Sequence, residues 1–358
     1  MKRIFSVIFI FLIFLCGCSN STKSDDTLED TTSNYRYYFR NQVKENPTLA
    51  NVELTRISML GSHNTFSDKI TELSYADSAD SSNICNNAFI RIFGKDLLPR
   101  LTICQNDDCY TQLMCGTRYL DVRVGIEYVC GEPIMTIYHG FVNCLDEGTI
   151  FSSHLYLDSV IDSCVTFLKE NPTETIIFVV KQEHGDESIQ EFETLLNSYI
   201  ETNKDTWLLT DTMPTLGEAR GKIVLFRRYE DEANLGSSSG IYLNWSQQNE
   251  APDTDLVFEE VSENAVTTYV QDRYKFDEET KWTVFQKTLN ESANLVSSGN
   301  IVINFLSTNG TATYGHPYKY SKILNEQLLA LDDSSINAGW IIVDFGNANL
   351  AQKIYQNN

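Results

Sequence analysis

Histidine is scarce in this chain: five among 358 residues, so imidazole chemistry has few places to sit. Basic residues are also few. There are 27 Lys and Arg against 49 Asp and Glu, a formal charge of -22. Nucleic acid is gripped by clustered Lys and Arg, so this balance excludes a nucleic-acid-binding protein. It also weakens long-range attraction to an anionic membrane, and no basic amphipathic helix offsets that. A local positive pocket for a single phosphate stays compatible. Cysteine is absent after Cys164, and no pair has the tight spacing with interleaved histidines of a zinc finger. No internal repeat and no composition shift beyond residue 34 mark a second domain.

The N-terminus is the first positive signal. Lys2 and Arg3 precede an apolar run from Ile4 to Leu15. That run is short for a membrane span and reads as an export signal. It ends in Leu15-Cys16-Gly17-Cys18, which resembles a bacterial lipoprotein signal. Residues 1–17 are expected to be removed and Cys18 to carry lipid. Residues 18–34, rich in Ser, Thr, Asp and Lys, read as a flexible polar tether. The expected location is the cell surface, anchored through Cys18, or the medium. Seven further cysteines lie between Cys85 and Cys164. In an exported protein they are disulfide candidates, with at least one thiol left over.

From residue 35 to 358 a single domain is expected. Hydrophobic residues make up 42% and aromatics 11%, enough for a sizeable core. Eight apolar, β-branched runs read as buried strands: 57–60, 119–124, 134–138, 175–180, 223–226, 265–270, 301–306 and 340–345. Helical periodicity falls at 153–170, 188–202 and 278–296. Strands alternating with helices predict an α/β fold, a β/α barrel or an open doubly wound sheet. The Cys-rich span 65–111 is poorly periodic and reads as a long excursion. The tryptophans at 207, 245, 282 and 340 read as core or rim aromatics.

Candidate chemistry gathers after the strand-like runs. His63 follows 57–62, and His139 follows 134–138 and precedes Gly140. Alternation puts Asp121 and Arg123 on one side of their strand. Two histidines, a carboxylate and an arginine can move a phosphoryl group without a metal. One histidine takes a proton, the other gives one, and arginine neutralises oxyanion charge.

These residues sit in motifs that resemble bacterial phosphatidylinositol-specific phospholipase C. The motifs are Met59-Leu60-Gly61-Ser62-His63-Asn64-Thr65-Phe66, Cys115-Gly116-Thr117-Arg118-Tyr119-Leu120-Asp121-Val122-Arg123 and Ile137-Tyr138-His139-Gly140. Segments 167–175, 180–183, 220–229, 270–274 and 303–307 continue the likeness in the family's order. The resemblance implies a TIM-type barrel, distorted or incomplete, with one site at the C-terminal strand ends. It implies phosphatidylinositol as substrate, glycosylated forms included, met at a membrane surface by a monomer. His63 is then the base that deprotonates the inositol 2-hydroxyl, His139 the acid that protonates the leaving diacylglycerol, and Asp344 the partner of His63. Arg123 contacts the phosphate and Asp121 orients the site. Asn64, Lys181, Arg228, Asp272 and Tyr274 bind the head group, with Arg227 the rival of Arg228. Asn64 departs from the aspartate common in metal-free relatives and matches the calcium-using ones. Arg123 and Lys181, however, stand where those place carboxylates, so no metal or other cofactor is expected. Two rival readings remain: another phosphodiesterase on the same barrel, and a non-catalytic ligand-binding surface lipoprotein.

Overall fold

The computed structural model describes residues 37–71, 97–146, 153–233, 239–246, 248, 259–263, 266–311, 315–336, 339–356 and 358. The export signal, Cys18 and the tether lie outside the described residues, as do Cys85 and the middle of the Cys-rich excursion.

Twelve strands form one sheet. They are β1 (Met59–Ser62), β2 (Tyr119–Val129), β3 (Glu132–His139), β4 (Val142–Asn143), β5 (Ile176–His184) and β6 (Trp207–Leu208). Then come β7 (Ile223–Arg227), β8 (Ile241–Tyr242), β9 (Glu259–Glu263), β10 (Val266–Gln271), β11 (Ile301–Phe305) and β12 (Trp340–Val343). The central path runs β6-β7-β5-β2-β1-β12-β11-β10-β9. From β7 to β10 every pairing along it is parallel, and β9 is an antiparallel edge. Between β8 and β10 no strand pairing is present among the described residues. There the Gln248 side chain spans the seam, donating to Val270 O at 3.1 Å and accepting from Asp272 N at 2.8 Å. The result is an incomplete TIM-type barrel, as the family resemblance implied.

Alternation along β2 assigns its residues to two layers. Tyr119 faces inward and meets Trp340 at 5.8 Å between ring centroids. Leu120 and Val122 face outward and pack with Phe178 and Val180 of β5 against helices Leu157–Glu170 and Ile189–Thr202. Those helices are where periodicity put them, and Ser188 closes a capping box with Glu191 at the second. The tight packing of β1 depends on Gly61. A Cβ there would lie 2.3 Å from Ile342 and 2.9 Å from Tyr119.

One expected barrel strand is not one. Run 134–138 forms β3, which returns antiparallel on β2 as a hairpin, with Val124 opposite Ile137. Strands β2 and β3 are separated only by Cys130 and Gly131, both at positive φ, so the connection is a two-residue turn and not a crossover helix. Among the described residues all six cysteines are free thiols. Cys109 Sγ and Cys164 Sγ lie 3.9 Å apart.

Candidate active site

The parallel strands end on a common side, and their terminal residues line an open cavity of about 210 Å³. Its walls carry His63, His139, Arg123, Lys181, Arg228, Asp272 and Tyr274, together with Glu183, Trp245 and Asn309. Asp121, Asn64 and Asp344 stand directly behind the wall, each buried.

His63 follows β1, and its backbone N–H still pairs with Val343 O of β12 at 3.0 Å. Asp344 is therefore its neighbour across the ladder. His63 Nδ1 donates to Asp344 Oδ1 at 2.7 Å, which leaves Nε2 with its lone pair toward the cavity. The Asn64 amide donates to that Nε2 at 3.0 Å. Asn64 itself sits at φ 41°, a left-handed turn conformation that asparagine tolerates. Its N–H donates to Asp121 Oδ2 at 3.0 Å.

Asp121 thus anchors two things at once. The same Oδ2 accepts from Arg123 Nε at 3.1 Å and Nη2 at 2.9 Å. Burial works against its charge, but Arg123, His63 and Arg228 hold the carboxyl well below its usual range. Arg123 Nη1 donates to Glu183 Oε1 at 3.1 Å. Three of its five N–H groups are committed, so two can face a ligand. Burial disfavours the guanidinium charge, and the two carboxylates more than restore it. Lys181 Nζ donates to Glu183 Oε2 at 2.7 Å. Despite burial, Arg123 and Lys181 pull the Glu183 carboxyl down to about 2.

His139 ends β3 and faces His63 with ring centroids 6.2 Å apart. Its Nδ1 donates to Thr102 O at 2.6 Å, directing Nε2 to the cavity. Burial, then the positive Arg123, lower its pKa to about 4. Across the cavity Arg228 lies flat on Trp245, 3.4 Å from the ring centroid, and Trp245 Nε1 donates to Asp272 Oδ2 at 2.9 Å. Arg227 points the other way, donating to Gly240 O and Tyr229 O. Of the two rivals, Arg228 takes the cavity.

Residues 79–229 match the profile described as phosphatidylinositol-specific phospholipase C, X domain. Over those residues the chain is similar to this family. Over 255 residues it is 26% identical to a 1-phosphatidylinositol phosphodiesterase of Staphylococcus aureus (strain Newman), covering 67% of this chain and 75% of that protein. A protein of the same name from Listeria monocytogenes is 28% identical over 268 residues, 71% of this chain and 72% of its own. The fold is similar to the solved phosphatidylinositol-specific phospholipase C of S. aureus, with a TM-score of 0.68 at 20% identity over 92% of this chain and 99% of that one. For the Listeria phospholipase C the TM-score is 0.56 at 22% identity, over 86% and 95%. The X-domain match takes in Arg123, His139, Lys181, Glu183 and Arg228. His63, Asp272 and Asp344 fall outside it and reach the cavity through the fold.

Glu183, Trp245 and Asn309 line the cavity without being singled out as site residues by the sequence. Glu183 shares the face of Lys181 on β5, and the alternation argument that pairs Asp121 with Arg123 reaches it equally. Trp245 reads as a core or rim aromatic from sequence, and it is buried. Only the fold shows that its face carries Arg228 and its edge carries Asp272. One donor group among the described residues has metal-ligand proximity: His63 Nδ1, Cys104 Sγ and an Asp344 oxygen, all within 4.8 Å. The first and last of these already bond to each other.

Proposed function

We propose that this chain cleaves phosphatidylinositol as a phospholipase C, at a membrane surface, by metal-independent acid–base catalysis. The observation that carries the reading is the opposed pair of histidines beside Arg123, with His63 backed by Asp344. His63 Nε2 exchanges its Asn64 contact for the inositol 2-hydroxyl and takes the proton. The freed oxygen attacks phosphorus, and the bond from phosphorus to the diacylglycerol oxygen breaks. His139 supplies the proton to that leaving oxygen, and inositol 1,2-cyclic phosphate remains. Asp344 fixes the His63 tautomer and balances the imidazolium that forms. Arg123 meets the developing phosphorane charge with its two uncommitted N–H groups. Lys181, Arg228, Asp272 and Tyr274 supply the polar and aromatic contacts that a polyhydroxylated ring requires.

The depressed basicity of His139 fits this scheme in one way only. Burial and Arg123 hold it neutral, so the phosphodiester anion must itself draw the proton onto His139 Nε2. Substrate binding then arms the acid. Export and attachment through Cys18 would hold the enzyme at a surface, facing lipid supplied by another membrane.

The test follows phosphorus while the protein meets phosphatidylinositol micelles in excess EDTA. Cyclic inositol phosphate is expected from the wild type and not from His63→Ala or His139→Ala. Absence of product even with calcium restored would sink the reading and favour a ligand-binding surface protein.

A further inference from the structure

The segment just ahead of the second helix of the Cys-rich span touches every proton-handling part of the site. Thr102 ends helix Leu97–Thr102, where its hydroxyl donates to Leu98 O at 2.6 Å. Its carbonyl is the acceptor for His139 Nδ1. Two residues on, Cys104 is tied on both sides. Its N–H meets Ser67 Oγ at 3.2 Å, and its carbonyl accepts from Phe345 N at 2.7 Å, beside Asp344. Gln105 is 1% exposed. Its amide nitrogen donates to His63 O at 2.7 Å and to Val343 O at 3.2 Å. Its amide oxygen accepts from Gly346 N at 3.4 Å.

We propose that residues 102–105 form a strap that sets the geometry of both catalytic histidines, with Gln105 as the positioning residue for the His63–Asp344 pair. The reason lies at the ends of β1 and β12. Their parallel ladder stops at Ser62 and Val343, and Phe345 turns to φ 52°. The His63 carbonyl is therefore left without a ladder partner, on the same residue whose side chain must hold Asp344. Gln105 supplies the missing donor, and the same amide nitrogen adds a second bond to Val343 O, which already accepts from the His63 N–H. It locks the two backbones that carry His63 and Asp344 at the spacing their 2.7 Å bond needs. Thr102, three residues earlier, fixes the tautomer of His139 through the same strap. A displacement of the strap thus moves base and acid together, without touching substrate.

The inference rests on the phospholipase reading, and its test separates the two. Gln105→Met keeps the length and removes both donors. Gln105→Glu keeps the shape and can donate again only when its carboxyl is protonated. Nitrogen-resolved NMR of the histidine rings, with no substrate present, reads the Nδ1–H proton that His63 shares with Asp344. In Gln105→Met this signal is expected to broaden or vanish, with kcat down tenfold or more and KM within twofold. Gln105→Glu is expected to match it at neutral pH and to regain both signal and kcat on acidification, relative to Gln105→Met. Wild-type kcat in Gln105→Met, or a lowered kcat with the His63 signal intact, overturns the strap. If Gln105→Met does not fold, Gln105→Glu alone decides, because only a positioning role makes its His63 signal return with acid. A wild type inactive on inositol lipids, whose His63 signal still follows Gln105, sinks the phospholipase reading and leaves the strap standing.

Discussion

Two arginines flank the first turns of β2, and they are used in opposite ways. Arg118 lies immediately before the strand and points outward. It is fully buried, with Nε and Nη2 on Glu174 Oε2 at 3.2 and 2.9 Å and Nη1 on Leu113 O and Thr117 O at 2.8 Å each. Glu174 in turn caps Phe39 N and Arg40 N, fastening helix Tyr38–Glu45 to the barrel. Arg123 is five residues on, so its side chain falls on the inner face. It too is held by carboxylates, yet it keeps 14% exposure and opens on the cavity. Water cannot reach the first pair, so a ligand cannot either. The second is shielded on its protein side alone, which concentrates its remaining field on whatever enters the site. The same residue type, on one strand, closes the base of the barrel and opens its top.

The comparison breaks if either arginine does the other's work. Glu174→Ala leaves the Arg118 guanidinium buried without its counter-charge. That costs about 3–5 kcal/mol, read as a lower denaturation midpoint, while kcat of the folded fraction stays at the wild-type value. Arg123→Lys keeps the charge and loses the planar fork that holds Asp121 and that the proposed phosphate contact needs. A fall of roughly 10²–10³-fold in kcat is expected, about 2.7–4 kcal/mol of transition-state stabilisation, with a much smaller change in midpoint. A large loss of stability with normal kcat in Arg123→Lys would make both arginines structural.

How far the sequence foretells this division follows from what each residue depends on. Asp121, Arg123, His63 and the parallel strands depend on local pattern: alternation, β-branched runs and a strand end followed by a turn. Their placement follows from the order of residues alone. The family likeness carries Asp344 and Arg228, which no local pattern selects. The hairpin of β2 and β3 reads from sequence as two barrel strands, because an apolar run looks the same whichever way its neighbour runs. Only the two-residue turn at Cys130-Gly131 distinguishes them. Trp245 and Gln105 act through partners far along the chain, 27 residues from Trp245 to Asp272 and 238 from Gln105 to Val343. Nothing in their own neighbourhoods could announce that. The buried Arg118–Glu174 pair is invisible for the same reason, since each residue alone reads as an ordinary surface charge.

A third way to sharpen the contrast uses pH. The cavity holds His139 neutral, with a pKa lowered to about 4 by burial and by Arg123. As the proposed general acid His139 must carry a proton, and kcat/KM reports the free enzyme. Its decline from loss of the His139 proton should therefore begin near pH 4. The profile of kcat reports the complex, where the phosphodiester anion favours the imidazolium. That decline should start at least about one unit higher, a tenfold difference in proton affinity. Superimposable profiles would mean that substrate does not arm His139.

The smallest expected effect tests how much of the cavity is electrostatic and how much is stacking. Arg228 is buried and flanked by Arg123, which lowers its pKa, while Asp121 and Asp272 support its charge. What Arg228 has and Arg123 lacks is an aromatic face, with Trp245 at 3.4 Å. Arg228→Lys preserves the charge and gives up the flat contact, worth about 0.5–2 kcal/mol. The loss should appear in KM for the inositol head group, with kcat little changed, because Arg228 touches neither histidine nor Asp344. Trp245→Phe removes the donor to Asp272 and keeps a face for Arg228, so its KM should rise independently of the Arg228 change. If the double variant costs no more than either single one, Arg228, Trp245 and Asp272 act as one unit. The head-group wall is then a stacked assembly, unlike the carboxylate cradle around Arg123.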